Sequence, residues 1–210
     1  MDQFIRLNTV FEVPADVSAE AIRWSEEISK GKHTYFVLNP VAHYPLYVHP
    51  RMTIYAPEYP AGNVESVIKQ VKKFAQNTGP IEFLFSHIDN NEEGYVVVHF
   101  ALSPEVKAFQ KSLVDLLNPL REGRIRDKLL ENKFPPAVTE TIQYYGTSGV
   151  LDFYKPHITL TRFHDVAQSV TARSDVQWPI HSFVSDSIGV YVSGSNGTLE
   201  KPITVFRLSR

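Results

Sequence analysis

Two runs of strand-forming residues, Ile81 to Ile88 and Tyr95 to Leu102, enclose the polar turn Asp89-Asn90-Asn91-Glu92-Glu93-Gly94. β-branched and aromatic residues on either side of a turn that ends in glycine predict a hairpin with a longer loop. A hairpin pairs its strands antiparallel, so the chain reads as α+β and not as a doubly wound parallel sheet.

The rest of the sequence supplies the partners for this hairpin. Phe4 to Val13 predicts a strand ending at Pro14. Ser18 is placed to cap a helix running to Lys30, with Ala21, Trp24 and Ile28 on one stripe and Gly31 as the stop. Thr34 to Leu38 reads as a strand, Asn39 to Pro50 as a loop rich in proline and aromatics, and Arg51 to Tyr55 as a strand. Asn63 caps a helix whose inward stripe is Val64, Val67, Ile68, Val71 and Phe74. Ser103-Pro104 opens another, with Val106, Phe109, Leu113 and Leu116 inward. Pro119 to Gly149 is mixed, with a short helix near Thr139 to Tyr145. Ile158 to Thr161 is strand and Ala167 to Arg173 a short helix. Phe183 to Ser193 and Ile203 to Leu208 form a closing pair around Ser195-Asn196-Gly197-Thr198. Two blocks of strand, helix and strands, one in each half, suggest two pseudo-symmetric antiparallel lobes with outer helices.

Composition removes several function classes. The net charge of -2 gives no global field for long duplex nucleic acid, though a local pocket for a short anion remains open. There is no cysteine, which excludes disulfides, thiolate metal sites and cysteine nucleophiles. The first residues lack a basic segment followed by an apolar run, and no stretch is long and apolar enough to span a bilayer. The expectation is a soluble, cytoplasmic chain without a membrane partner.

Chemistry concentrates in two strands. In Lys155-Pro156-His157-Ile158-Thr159-Leu160-Thr161, residues two apart share a face, so His157, Thr159 and Thr161 project together while Ile158 and Leu160 turn to the core. An imidazole moves a proton near neutral pH, and a neighbouring hydroxyl can hydrogen-bond a phosphate oxygen. Earlier, Val48-His49-Pro50-Arg51-Met52-Thr53-Ile54-Tyr55 alternates in the same way. His49, Arg51, Thr53 and Tyr55 share one face if that strand continues back through Pro50.

Pro156-His157-Ile158-Thr159-Leu160 resembles the His-x-Thr-hydrophobic motif of the 2H phosphoesterase superfamily, which includes 2'-5' RNA ligase-like proteins and cyclic nucleotide phosphodiesterases. Pro50-Arg51-Met52-Thr53-Ile54-Tyr55 resembles the first motif of the same group, and the layout resembles it over most of residues 1–210. The resemblance implies one bilobal α+β domain with a central cleft and no cofactor or metal requirement. It implies a phosphoesterase acting on a 2',3'-cyclic phosphate or RNA-terminal phosphodiester, with a small phosphorylated nucleotide or RNA end as partner. By the same resemblance His157 is a catalytic histidine, and Thr159 and Thr53 are phosphate-binding hydroxyls.

The first motif departs from the family pattern, because Arg51 stands where its histidine belongs. Arginine stays protonated and cannot be a general base, but it can hold phosphate or stabilise charge. Two expectations follow. His49 reaches the cleft and supplies the second imidazole, or the site has lost its acid-base symmetry and binds a phosphorylated ligand with little turnover.

Other features carry less. His87 and His99 are placed to pair across the hairpin, and Tyr44, Tyr47 and Tyr55 could stack a base. Arg121, Arg124, Arg126 and Lys128 read as a solvated face. No His-Glu-x-x-His pattern, glycine-rich phosphate loop or Gly-x-Ser-x-Gly elbow occurs.

Overall fold

In a computed structural model, which describes residues 3–39 and 49–209, the chain forms two antiparallel sheets backed by helices. The first sheet contains β1 (Phe4–Glu12), β3 (Arg51–Tyr55), β4 (Glu58–Pro60), β9 (Ser187–Ser193) and β10 (Leu199–Arg207). Its order is β10-β9-β1-β3, with β4 pairing the start of β1. The second contains β2 (Thr34–Val37), β5 (Ile81–Asn90), β6 (Tyr95–Phe100), β7 (His157–Phe163) and β8 (Ser182–Ser185), in the order β2-β7-β6-β5-β8. The expected bilobal α+β architecture is the one found. The predicted hairpin is β5 and β6, with His87 directly opposite His99.

Helices α1 (Ala15–Ser29) and α6 (Val166–Asp175) pack on the second sheet, α2 (Val64–Gln76) packs on the first, and α3 (Pro104–Leu117) packs against β3 of the first and β5 of the second. On α1, α2 and α3 the expected stripes turn inward: Ala21, Trp24, Ile28, Val67, Val71, Val106, Phe109 and Leu113 are buried, while Val64, Ile68 and Phe74 are half-buried. Ser103 Oγ accepts from the amide of Val106, as its N-cap position requires. Two short helices, α4 (Asp127–Glu131) and α5 (Pro136–Tyr145), fill the mixed region.

Several boundaries differ from the sequence reading. Helix α1 starts at Ala15, because the amide of Ser18 already bonds the carbonyl of Pro14 within the first turn. Leu116 is only half-buried, and Val114 and Leu117 take the inward positions. The run from Phe183 to Ser193 is not one strand. It breaks at Asp186, so that β8 pairs β5 in the second sheet while β9 pairs β1 and β10 in the first. This switch and the seating of α1, which leaves β1 to cover β7, stitch the two lobes together. The stitch is apolar: Phe11 of β1 contacts Phe83 of β5 and Phe109 of α3 at ring separations of 4.9 and 4.7 Å.

Arg121 is buried, not solvated. It donates to Asn118 Oδ1 and to the carbonyls of Arg124 and Tyr144. A buried guanidinium needs this many acceptors, because it cannot shed its charge.

Candidate functional site

β3 of the first sheet and β7 of the second come side by side, joined by the phenol of Tyr154, which donates to the carbonyl of Thr53 at 3.1 Å. A cleft opens between the sheets there. One part, about 390 Å³, is lined by Arg6, Arg51, Thr53, His157 and Thr159, with Tyr95, Ser148 and Gly197. An adjoining part of about 400 Å³ shares Arg6, Thr53, Asn91, Val97 and His157 and adds Asp89, His99 and Lys155. A wider recess of about 790 Å³, bounded by Phe4, Pro60 and Leu130, contains none of the two-motif residues. Thus four residues singled out from two distant strands, Arg51, Thr53, His157 and Thr159, line one cavity.

The strand alternation accounts for their aim. On β3, Met52 and Ile54 are fully buried while Arg51 and Thr53 are partly open. On β7, Ile158 and Leu160 are fully buried while His157 and Thr159 are partly open. Thr161 does not join them. The pairing of β6 with β7 slips between Val96 and Val97, so that two β7 residues, Leu160 and Thr161, turn inward in succession. Thr161 is fully buried, and its hydroxyl donates to the carbonyl of Phe36 at 2.5 Å.

His157 Nδ1 lies 2.7 Å from the carbonyl oxygen of Lys155. A carbonyl only accepts, so this contact places the proton on Nδ1 and leaves the lone pair on Nε2. Burial, with smaller effects from the charges of Arg51 and Lys155, pushes the imidazole below the ordinary value of 6.5, although the Lys155 carbonyl works the other way. The ring is therefore a neutral proton acceptor at neutral pH.

Thr53 is held from behind. Asn8 of β1, itself buried, donates from Nδ2 to Thr53 Oγ1 at 3.1 Å. With that lone pair occupied, the hydroxyl proton is free to point elsewhere.

Arg51 is fixed by backbone carbonyls. Nη1 donates to His49 O at 2.9 Å and Nη2 to Gly197 O, while Nε is buried with no hydrogen-bond partner among the described residues. Burial lowers its pKa to about 10, against the opposing pull of Glu12 and Tyr191. Arg6 reaches the same cleft from β1, donates from Nε to Ala56 O at 3.3 Å, and is lowered to about 10 by burial and by Arg126. Both stay charged at neutral pH, so the cleft presents two poorly hydrated cations beside two threonines and an imidazole.

The strand extension that would align His49 with Arg51 is not present. β3 begins at Arg51, paired with Glu12, and Pro50 lacks the amide needed for another rung. His49 Nε2 instead lies 3.6 Å from Glu12 Oε2, and His49 is not among the residues lining either part of the cleft. Tyr55 is buried, with its hydroxyl donating to Tyr145 O at 2.8 Å, so it offers no open ring face for a base. Tyr44 and Tyr47 lie outside the described residues.

Sequence reasoning did not assign Arg6, Asn8 or His99 to the site, although it paired His99 with His87. Arg6 and Asn8 did leave a signal: residues spaced two apart on a strand share a face, and here that face carries Arg6 into the cleft and Asn8 onto Thr53. His99 sits opposite His157 as well as His87, with ring separations of 5.6 and 4.7 Å. Burial, then the charges of His157 and His87, lowers it to about 4.

The sequence matches no family model and no curated protein. Its overall fold is similar to that of several solved structures. The structure of E. coli LigT complexed with 3'-AMP is similar with a TM-score of 0.59 at 15% identity, over 99% of this chain and 100% of that one. TT0787 of Thermus thermophilus is similar with a TM-score of 0.59 at 13% identity, over 97% and 98%. A structure described as a phosphoesterase gives 0.54 at 16% identity, over 99% and 100%. The likeness spans nearly the whole of this chain and of each of those chains. At such identities the likeness concerns the fold alone, and the chemistry has to be argued from the cleft.

Proposed function

We propose that this chain is a metal-independent phosphoesterase acting on a 2',3'-cyclic phosphate or an RNA-terminal phosphodiester, with both lobes acting as one bilobal domain. The observation that carries this reading is the His157–Lys155 contact, which sets the Nδ1–H tautomer of an imidazole on the wall of a cleft holding two hydroxyls and two guanidiniums. Thr53 and Thr159 hold the non-bridging phosphate oxygens. His157 Nε2 takes a proton from the attacking water as the new P–O bond forms. The P–O bond to the ribose oxygen breaks, the guanidiniums of Arg51 and Arg6 stabilise the charge on that oxygen, and solvent reprotonates it. A small phosphorylated nucleotide fits the cavity size, and LigT has been solved with 3'-AMP in a similar fold. His49, turned to Glu12, plays no part in this scheme as the second imidazole. The test is hydrolysis of a 2',3'-cyclic nucleotide in excess EDTA, with turnover expected; absence of turnover with every cyclic nucleotide and cyclic-ended RNA offered would remove the enzymatic reading.

A second reading is favoured by Arg51. A guanidinium clamped by two backbone carbonyls holds phosphate without moving protons. A binding module of this kind takes up a phosphorylated nucleotide with no turnover, and Arg51→His then creates activity. An Arg51→His variant as inert as its parent would count against this position being the lost histidine.

A further inference from the structure

Two residues of the cleft wall, Asp89 and His99, belong with the neighbouring His87 to a group of side chains that the proposed chemistry does not use. His87 and Asp89 alternate on β5, and His99 stands directly across on β6. One donor atom from each of the three lies within 4.8 Å of the other two. We propose that His87, Asp89 and His99 form a binding site for a divalent transition-metal ion of the zinc class.

The donor set selects that class. Two imidazoles and one carboxylate suit zinc and its neighbours, whereas magnesium and calcium take oxygen ligands. The sheet supplies the spacing, since alternate residues on one strand and a directly opposed residue on the next point to the same side. The surrounding contacts orient the ligands as metal sites require. His87 Nδ1 is 2.9 Å from Ser86 Oγ, which leaves Nε2 for a metal. Asp89 Oδ1 accepts from the amide of Asn90 at 2.8 Å and lies 3.7 Å from Arg173 Nη1, which leaves Oδ2.

Three protein ligands leave a coordination position open. Asp89 and His99 line the same part of the cleft as His157, so an ion held by them would border the space where a phosphate would bind. The ion is thus an addition to the cleft wall and not a component of the proton transfer at His157.

The test uses the full chain, stripped with chelator and desalted, and needs no turnover, so its outcome is independent of the phosphoesterase reading. Zn²⁺ is titrated by calorimetry and Co²⁺ by visible absorption. The expected result is one equivalent bound, with the intense ligand-field bands of a four-coordinate cobalt site, and affinity reduced about tenfold or more in His87→Ala and Asp89→Asn. His87→Gln, which keeps size and polarity, guards against a folding defect, and circular dichroism checks each variant. No stoichiometric binding, or binding that persists unchanged in the folded His87 variants, would overturn the site.

Discussion

Asn8 Nδ2 donates a 3.1 Å hydrogen bond to Thr53 Oγ1, tying the first strand of the chain to the hydroxyl of the first motif. The geometry assigns Asn8 a positioning role, since it occupies the threonine's lone pair and aims its proton. Asn8→Ala is expected to lower kcat by about 10²-fold with little change in KM, the penalty for a misplaced group. Asn8→Asp, which can only accept when ionised, should not restore the rate. A fall in KM and kcat together with a loss of fold would reduce Asn8 to a structural residue.

In the proposed scheme His157 sets the pH profile. Its folded-state pKa lies below 6.5, so the neutral, proton-accepting form persists as the pH drops through 6.5. The acidic limb of kcat/KM, measured with EDTA present so that no metal charge sits beside the ring, should fall below pH 6.5. The sign follows from the role: a general base is lost on protonation. An acidic limb centred above 6.5, or activity rising as the pH falls through that range, would reverse the assignment.

Arg6 and Arg51 should contribute through charge. Arg6→Gln is expected to cost roughly 10²-fold in kcat/KM, the scale for losing one charge-stabilising donor in a dry site. Among the described residues Arg6 makes one side-chain hydrogen bond, to Ala56 O, so its removal should change the melting temperature little compared with its effect on rate. Wild-type rates in Arg6→Gln would take it out of the site.

Thr161 provides the opposite control. Its buried hydroxyl serves the carbonyl of Phe36, so Thr161→Val should destabilise the fold by about 1–3 kcal/mol while leaving kcat intact. Denaturant melts and kinetics on the same preparation separate the two effects.

Gly146 tests the buried Arg121 network. Its φ of +71° suits glycine, and an added Cβ would sit 2.7 Å from Arg121 Cδ. Gly146→Ala should cost roughly 2 kcal/mol from backbone strain and crowding together. A neutral substitution would show that Arg121 has room to move.

The parts legible in the sequence are those set by local periodicity. The hairpin around Asp89–Gly94, the apolar stripes of α2 and α3 and the Ser103 cap follow from spacing and turn chemistry alone. So do the outward aims of Thr53, His157 and Thr159. What spacing could not give is anything decided by contacts across the chain. A one-residue slip in the pairing of β6 with β7 hides Thr161, and a single residue, Asp186, sends β8 and β9 to different sheets. Asn8 and Arg6 matter only because β1 lies beside β3, a pairing that no local pattern in β1 announces. His49 could be aligned with Arg51 only by running a strand through Pro50, and β3 begins at Arg51.

The most direct measurement is hydrolysis of a 2',3'-cyclic nucleotide by wild-type protein and by His157→Ala, both in excess EDTA. The account predicts turnover by the wild type, unaffected by the chelator, and its loss in the variant while the fold is retained by circular dichroism. Comparable turnover in His157→Ala would contradict it.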